Sequence, residues 1–137
     1  MPGLTLTLSG PPNAARSRDL AQKLTELTAR LLDKETARTM VLVRHLPAED
    51  WYIAGRSLAE WGKNSFRLEV TITDETNTKA QKAVYQREVF ALLAREIGNL
   101  HPHSNVHVID CRGSAYGYGG ITQEQYYQQA RLAGGLP

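Results

Sequence analysis

The chain has one cysteine, Cys111, among 137 residues, so no disulfide can form within it. A fold held by its own hydrophobic core, in a reducing compartment such as the cytoplasm, is the expectation. Long apolar runs are missing, which argues against a membrane span. So is a charged stretch followed by an apolar one near the start, which argues against a secretory leader. Charge of one sign is missing too: 16 Lys and Arg stand against 14 Asp and Glu, without a basic block, and nucleic acid is not an expected partner. Aromatics make up only 7% of residues. Several of them gather in two short stretches, WYIAG at 51–55 and YGYGG at 116–120.

What is present is a repeated order of elements. Leu4, Leu6 and Leu8 alternate with Thr5 and Thr7, which predicts a strand over Gly3 to Ser9. A turn follows at Gly10-Pro11-Pro12-Asn13. Leu20, Leu24, Leu27 and Leu31 then keep the helical period through a helix from about Ala15 to Asp33. Met40 to Val43 reads as a second strand, apolar enough for burial on both faces. A second pass begins at Ser65. Phe66, Leu68, Val70 and Ile72 alternate with polar residues, and Thr78 and Gln81 have the spacing of a capping box. Val89, Leu92, Leu93 and Ile97 form a helical stripe, Gly98 suits a C-terminal cap, and Val106 to Asp110 reads as a fourth strand.

The two passes are in register. Leu24 and Val89, Leu27 and Leu92, Val41 and Val106, Val43 and Val108, and Gly55 and Gly120 are each 65 residues apart. The first strands align at 64, through Leu4 and Leu68, Leu6 and Val70, and Leu8 and Ile72. A strand–helix–strand unit joins its two strands by a crossover, so they pair in parallel. The predicted class is therefore α/β: two tandem β-α-β units, a four-stranded sheet with two helices on one face. A single domain over 1–137 is expected, with unit one at about 2–60, unit two at about 65–120 and a tail at 121–137. A sheet covered on one side leaves the other for a partner, which favours assembly.

Pro2, the LTLTL strand, the Leu-rich helix, LLDKETARTMVLV, WYIAGRS, ALLAREIG and NVHVIDCRGSAYGYGG, in that order over residues 2–120, resemble the tautomerase superfamily. That superfamily includes 4-oxalocrotonate tautomerase and macrophage migration inhibitory factor. The resemblance implies a homotrimer with no cofactor. It implies an isomerase in which Met1 is removed and the secondary amine of Pro2 is the general base or acid. Keto–enol proton transfer on a small carboxylated substrate is the implied reaction. Dehalogenation or decarboxylation by the same proline is the alternative, as is a non-catalytic binding module. The resemblance places Lys34 where a relative has a substrate-contacting lysine. Trp51 stands where short relatives have an aromatic pocket wall, and His107 where relatives have a polar contact. Arg112 has the chemistry to clamp a carboxylate, with Arg38 and Arg56 as rivals. Tyr116 and Tyr118 are the second-unit counterparts of the Trp51 region and are expected nearer a subunit interface. His101, His103 and His107 lie close in sequence, but their irregular spacing and lack of a completing carboxylate or thiol argue against a metal site.

A freed proline amine is a strong base, and burial or nearby cations lower its pKa toward the working pH. A strand that begins immediately after it fixes its position.

Overall fold

The computed structural model describes residues 2–133. Met1, whose removal is expected above, and the last four residues of the tail lie outside them. The chain runs β1 (Gly3–Ser9), α1 (Ala14–Leu32), β2 (Met40–Leu46), a hairpin of β3 (Tyr52–Ile53) and β4 (Arg56–Ser57), and a one-turn α2 (Leu58–Trp61). It continues through β5 (Phe66–Thr73), α3 (Lys79–Ile97), β6 (Asn105–Cys111), a second hairpin of β7 (Gly117–Tyr118) and β8 (Ile121–Thr122), and α4 (Gln123–Ala133).

Both long helices start where their first turns are capped. The Asn13 side chain accepts the Arg16 N–H at 3.1 Å, satisfying a backbone donor that the helix itself cannot. Thr78 and Gln81 form the expected capping box: the Thr78 hydroxyl accepts the Gln81 N–H, and the Gln81 side chain accepts the Thr78 N–H at 2.9 Å. At the far ends, α1 stops at Asp33 in the left-handed region and α3 at Gly98, whose N–H donates to the Ala94 carbonyl.

The four long strands form one sheet in the order β2-β1-β5-β6. Within each unit the strands are parallel, β1 with β2 and β5 with β6, as the crossovers require. The units meet antiparallel, Leu4 opposite Val70 and Leu6 opposite Leu68. Leu4, Leu6, Leu8, Phe66, Leu68, Val70 and Ile72 are all at most 1% exposed, against Leu20, Leu24, Val89 and Leu93 of the helices. At about 25 cal/mol per Å² of apolar surface, this layer is the main source of stability. Lys23 of α1 reaches Glu96 of α3 at 2.7 Å over the outer surface, where such a pair adds little.

The repeat is longer than the apolar pattern showed. α1 and α3, β2 and β6, and the two hairpins all correspond at 65, as Tyr52 does with Gly117 and Arg56 with Ile121. The Leu58 N–H donates to the Trp51 carbonyl at 2.8 Å, and 65 residues on the Gln123 N–H donates to the Tyr116 carbonyl at 2.9 Å. So α4, within the tail expected to lie outside the repeat, is the counterpart of α2, extended.

One expectation is corrected. β2 is not buried on both faces: Val41 and Val43 turn to the helices, while Met40 and Leu42 are 52% and 50% exposed. The two helices of one chain cover one side of the sheet only. The open face carries Thr5, Thr7, Arg67 and Glu69 on its central strands and apolar Met40, Leu42 and Ile109 on its outer ones.

Inside the core, the Tyr85 and Thr28 hydroxyls bond at 2.7 Å, joining the helices. Burial pushes the Tyr85 hydroxyl up from 10.0 to about 12. A pKa raised in the folded state means stability is whole below pH 10 and declines as pH climbs from 10 to 12, by roughly 2–3 kcal/mol. Tyr85→Phe is expected to cost about 1–3 kcal/mol at pH 9 by stranding the Thr28 hydroxyl, and to escape that alkaline loss. Urea unfolding of both proteins across this range checks it. A stability difference that does not shrink with pH contradicts it.

Candidate active site

The start of β1 decides which elements surround Pro2. Pro2 is buried, and its carbonyl accepts the Met40 N–H at 3.2 Å, holding the first residues of β1 and β2 side by side. Because β5 runs the other way, its last residues meet the same end of the sheet: Gly3 faces Thr71, which faces Ile109 of β6. Four connections therefore converge here: the loop after α1, the turn before α3, the segment after β6, and the second hairpin with α4.

Each brings a polar side chain. Lys34, just past the end of α1, donates from Nζ to the Thr76 hydroxyl at 2.9 Å. Thr76 in turn donates to the Thr73 carbonyl at 2.6 Å. Burial of the ammonium lowers the Lys34 pKa, with the Asp33 carboxylate pulling the other way. The Tyr116 hydroxyl bonds that of Thr73 at the end of β5. Burial raises the Tyr116 pKa against the opposing effect of that bond, so its proton stays on and can be donated. Arg38 sits two residues before β2. Its Nε lies 3.2 Å from Glu35, its guanidinium bonds the Tyr126 hydroxyl, and its central carbon stands 4.5 Å from the centre of that ring. Tyr118 lies against Tyr126 at 5.7 Å between ring centres.

The residues singled out from sequence divide. Pro2, Lys34 and Arg112 share this end of the sheet, Arg112 with an exposed side chain directly after β6. Trp51 lies at the opposite end, after β2 and before the first hairpin, roughly 20 Å away along six strand steps. His107 projects from the middle of β6, exposed and opposite Glu69 on the open face. Within one chain neither Trp51 nor His107 meets Pro2. An aromatic that does lie at this end is Tyr116, which is Trp51 carried forward by the repeat. Antiparallel pairing sends the hairpin of each unit to the opening of the other. Of the other histidines, His101 accepts the His103 N–H at Nδ1, 3.0 Å away, and lies edge-on to Trp61 at 4.7 Å.

Comparison with known proteins agrees with this frame. Residues 10–60 match the tautomerase family, described as tautomerase enzyme. No curated protein matches the chain. Among solved structures, native fused 4-OT superposes with a TM-score of 0.79 at 23% identity, over 90% of this chain and 97% of that one. Another fused 4-OT, solved as an asymmetric trimer, gives 0.79 at 19%, over 90% and 98%. Pt0534 inactivated by 2-oxo-3-pentynoate gives 0.79 at 16%, over 90% and 98%.

The position of Lys34 has a measurable consequence. Followed by NMR at the carbon next to its Nζ, Lys34 should lose its proton at lower pH than the ordinary lysine value of 10.5. Titration together with the bulk of the lysines would contradict the burial assigned to it.

Proposed function

We propose that the chain acts as a member of the tautomerase superfamily, in its fused form of two β-α-β units, and that it transfers protons with the secondary amine of Pro2; the tautomerase match over residues 10–60 and the fused 4-OT fold support this reading. The observation that carries this reading is the place of Pro2. It is buried at the end of a central strand, the end that also receives Lys34 and Arg38 from the loop after α1 and Tyr116 from the segment after β6. Met1 must be absent for the nitrogen to be basic, because an amide nitrogen accepts no proton. A small second residue such as proline favours that removal.

In the proposed reaction the Pro2 nitrogen takes the hydroxyl proton of an enol and becomes a secondary ammonium. The electron pair moves through the conjugated system to carbon, which receives the proton back from the ammonium. The keto acid leaves and the free amine is restored. Nothing is consumed, so no cofactor is required. Lys34 attracts the substrate carboxylate, with Arg112 at the rim and Arg38 behind it. Tyr116 donates to the oxygen that carries charge as the proton leaves carbon in the reverse direction.

Assembly as a homotrimer belongs to the same proposal. Its support is the open sheet face, with exposed Met40, Leu42 and Ile109 on its outer strands, together with the trimeric fused 4-OT of the same fold. In such an assembly Trp51 and His107 can approach a Pro2 that is not their own.

The test begins with intact mass, which identifies protein starting at Pro2. On an enol-pyruvate substrate, followed by loss of enol absorbance, Pro2→Ala should lose at least ~100-fold in kcat/KM. Tyr116→Phe should lose roughly 10- to 100-fold, mostly in kcat. 2-Oxo-3-pentynoate, a conjugated alkynyl ketone open to addition by an amine, should label native protein once, at Pro2. A Pro2→Ala rate equal to the native one would overturn the assignment.

A further inference from the structure

The repeat builds the two ends of the sheet alike, and one contact differs between them. At each end a hairpin is followed by a helix, and an aromatic of that helix lies against the segment leading into the other unit's second strand. Trp61 of α2 meets His101 edge-on at 4.7 Å, and its indole N–H donates to the Ile53 carbonyl of its own hairpin at 2.9 Å. Tyr126 of α4 is Trp61 moved on by 65 residues, and it meets Arg38. The guanidinium carbon stands 4.5 Å from the centre of its ring, and its hydroxyl accepts a hydrogen bond from the same guanidinium. Trp61 directs its polar atom within its own unit. Tyr126 directs it to a cation of the other.

Arg38 is held from several sides. It ends a 3₁₀ turn over Thr36–Arg38, closed by the Thr39 N–H on the Thr36 carbonyl at 3.1 Å. Glu35 stands 3.2 Å from Nε, Tyr126 bonds one terminal nitrogen, and Tyr118 backs Tyr126 at 5.7 Å between ring centres. The partly exposed pair with Glu35 holds weakly alone, whereas the ring and hydroxyl of Tyr126 together fix the plane of the guanidinium. A guanidinium has five N–H groups, so donors remain for a carboxylate after both contacts are made. The place is the Pro2 end of the sheet: Met40, two residues on, donates to the Pro2 carbonyl, and two residues span at most about 7 Å. The start of α4 is fixed without Tyr126, by the Gln123 N–H on the Tyr116 carbonyl and the Glu124 N–H on the Gly113 carbonyl, each at 2.9 Å.

We propose that Tyr126 is a positioning residue: it holds the guanidinium of Arg38 in the plane from which its fork takes the substrate carboxylate, and through it α4 becomes a working part of the Pro2 site. This role rests on the reading of this end of the sheet as the active site. Lys34 attracts the carboxylate as a point charge, and Arg38 orients it with two parallel hydrogen bonds. Because Tyr126 restricts the rotamers of Arg38 in advance, less freedom is lost when the acid arrives. Bound substrate and transition state share the contact, so its loss is read in KM and not in kcat.

The probe is benzoylformate, an α-keto acid with no hydrogen to enolise, titrated calorimetrically into the full chain. Native protein should bind it saturably at millimolar concentration. Arg38→Leu should weaken binding at least ~10-fold, Tyr126→Leu about fivefold, and Tyr126→Phe, which keeps the ring, about twofold. In protein already carrying Arg38→Leu, adding Tyr126→Leu should change nothing more, because the tyrosine acts through the arginine. Both residues lie outside the buried core, so the variants should fold, and urea unfolding close to native verifies it. On the enol-pyruvate substrate Tyr126→Leu should raise KM about fivefold and leave kcat within about twofold. The same binding cycle in Pro2→Ala should give the same ratios, since benzoylformate needs no base. A Pro2→Ala rate equal to the native one therefore refutes the proline mechanism and leaves the binding cycle to judge Tyr126. No saturable binding to native protein, a Tyr126→Leu affinity equal to the native one, or equal weakening by Tyr126→Leu with and without Arg38 would refute the positioning role.

Discussion

The antiparallel contact between β1 and β5 is the constraint from which the rest of this molecule follows. Each unit alone is a two-stranded parallel ribbon with one helix, too small to bury its apolar face. Joining them at the two central strands makes one sheet, brings α1 and α3 together, and closes a core of leucines and valines with exposures near zero. The same contact fixes the geography of function. It places the start of one unit beside the end of the other, so the end of the sheet at Pro2 carries Thr73, Tyr116 and Tyr126 of the second unit rather than the hairpin of its own.

Much of this frame was legible in the sequence, because its signals are local. The leucine spacing of α1, the Thr78–Gln81 box and the Gly98 stop depend on residues within one or two turns, and the structure has all three. The tandem repeat was legible too, since equal offsets through helix and strand need no knowledge of packing. The β2 strand misled for a physical reason: four apolar residues in a row look alike whether the second face meets a helix of the same chain or waits for another chain.

The content of the site was less legible. The resemblance gives Trp51 the position of a pocket aromatic within its own unit, but whether that unit's hairpin meets its own Pro2 depends on the direction in which two units pair. No single residue encodes that direction; it is settled by how fourteen buried side chains fit together. The correspondence of Trp51 with Tyr116 was available, and adding antiparallel pairing to it yields the arrangement seen. Tyr126 and its contact with Arg38 had no such signal. The α4 segment is rich in glutamine and has no buried residue, so its helix announces no partner. Its informative contacts are those of Tyr126, set against Tyr118 and against an arginine 88 residues away.

On the proposed reading, one unit supplies the chain terminus and the other the walls around it, and the chemistry belongs to the end where a backbone nitrogen can be free. The decisive quantity is the protonation of that nitrogen. With proline labelled by ¹⁵N, the Pro2 resonance of mature protein can be followed from pH 5 to pH 10 beside the activity. The account predicts an amine signal that titrates below the ordinary range of a secondary amine, with the same midpoint as the rise in kcat/KM. A Pro2 nitrogen with the shift of an amide, silent over this range in protein that remains fully active, would contradict it.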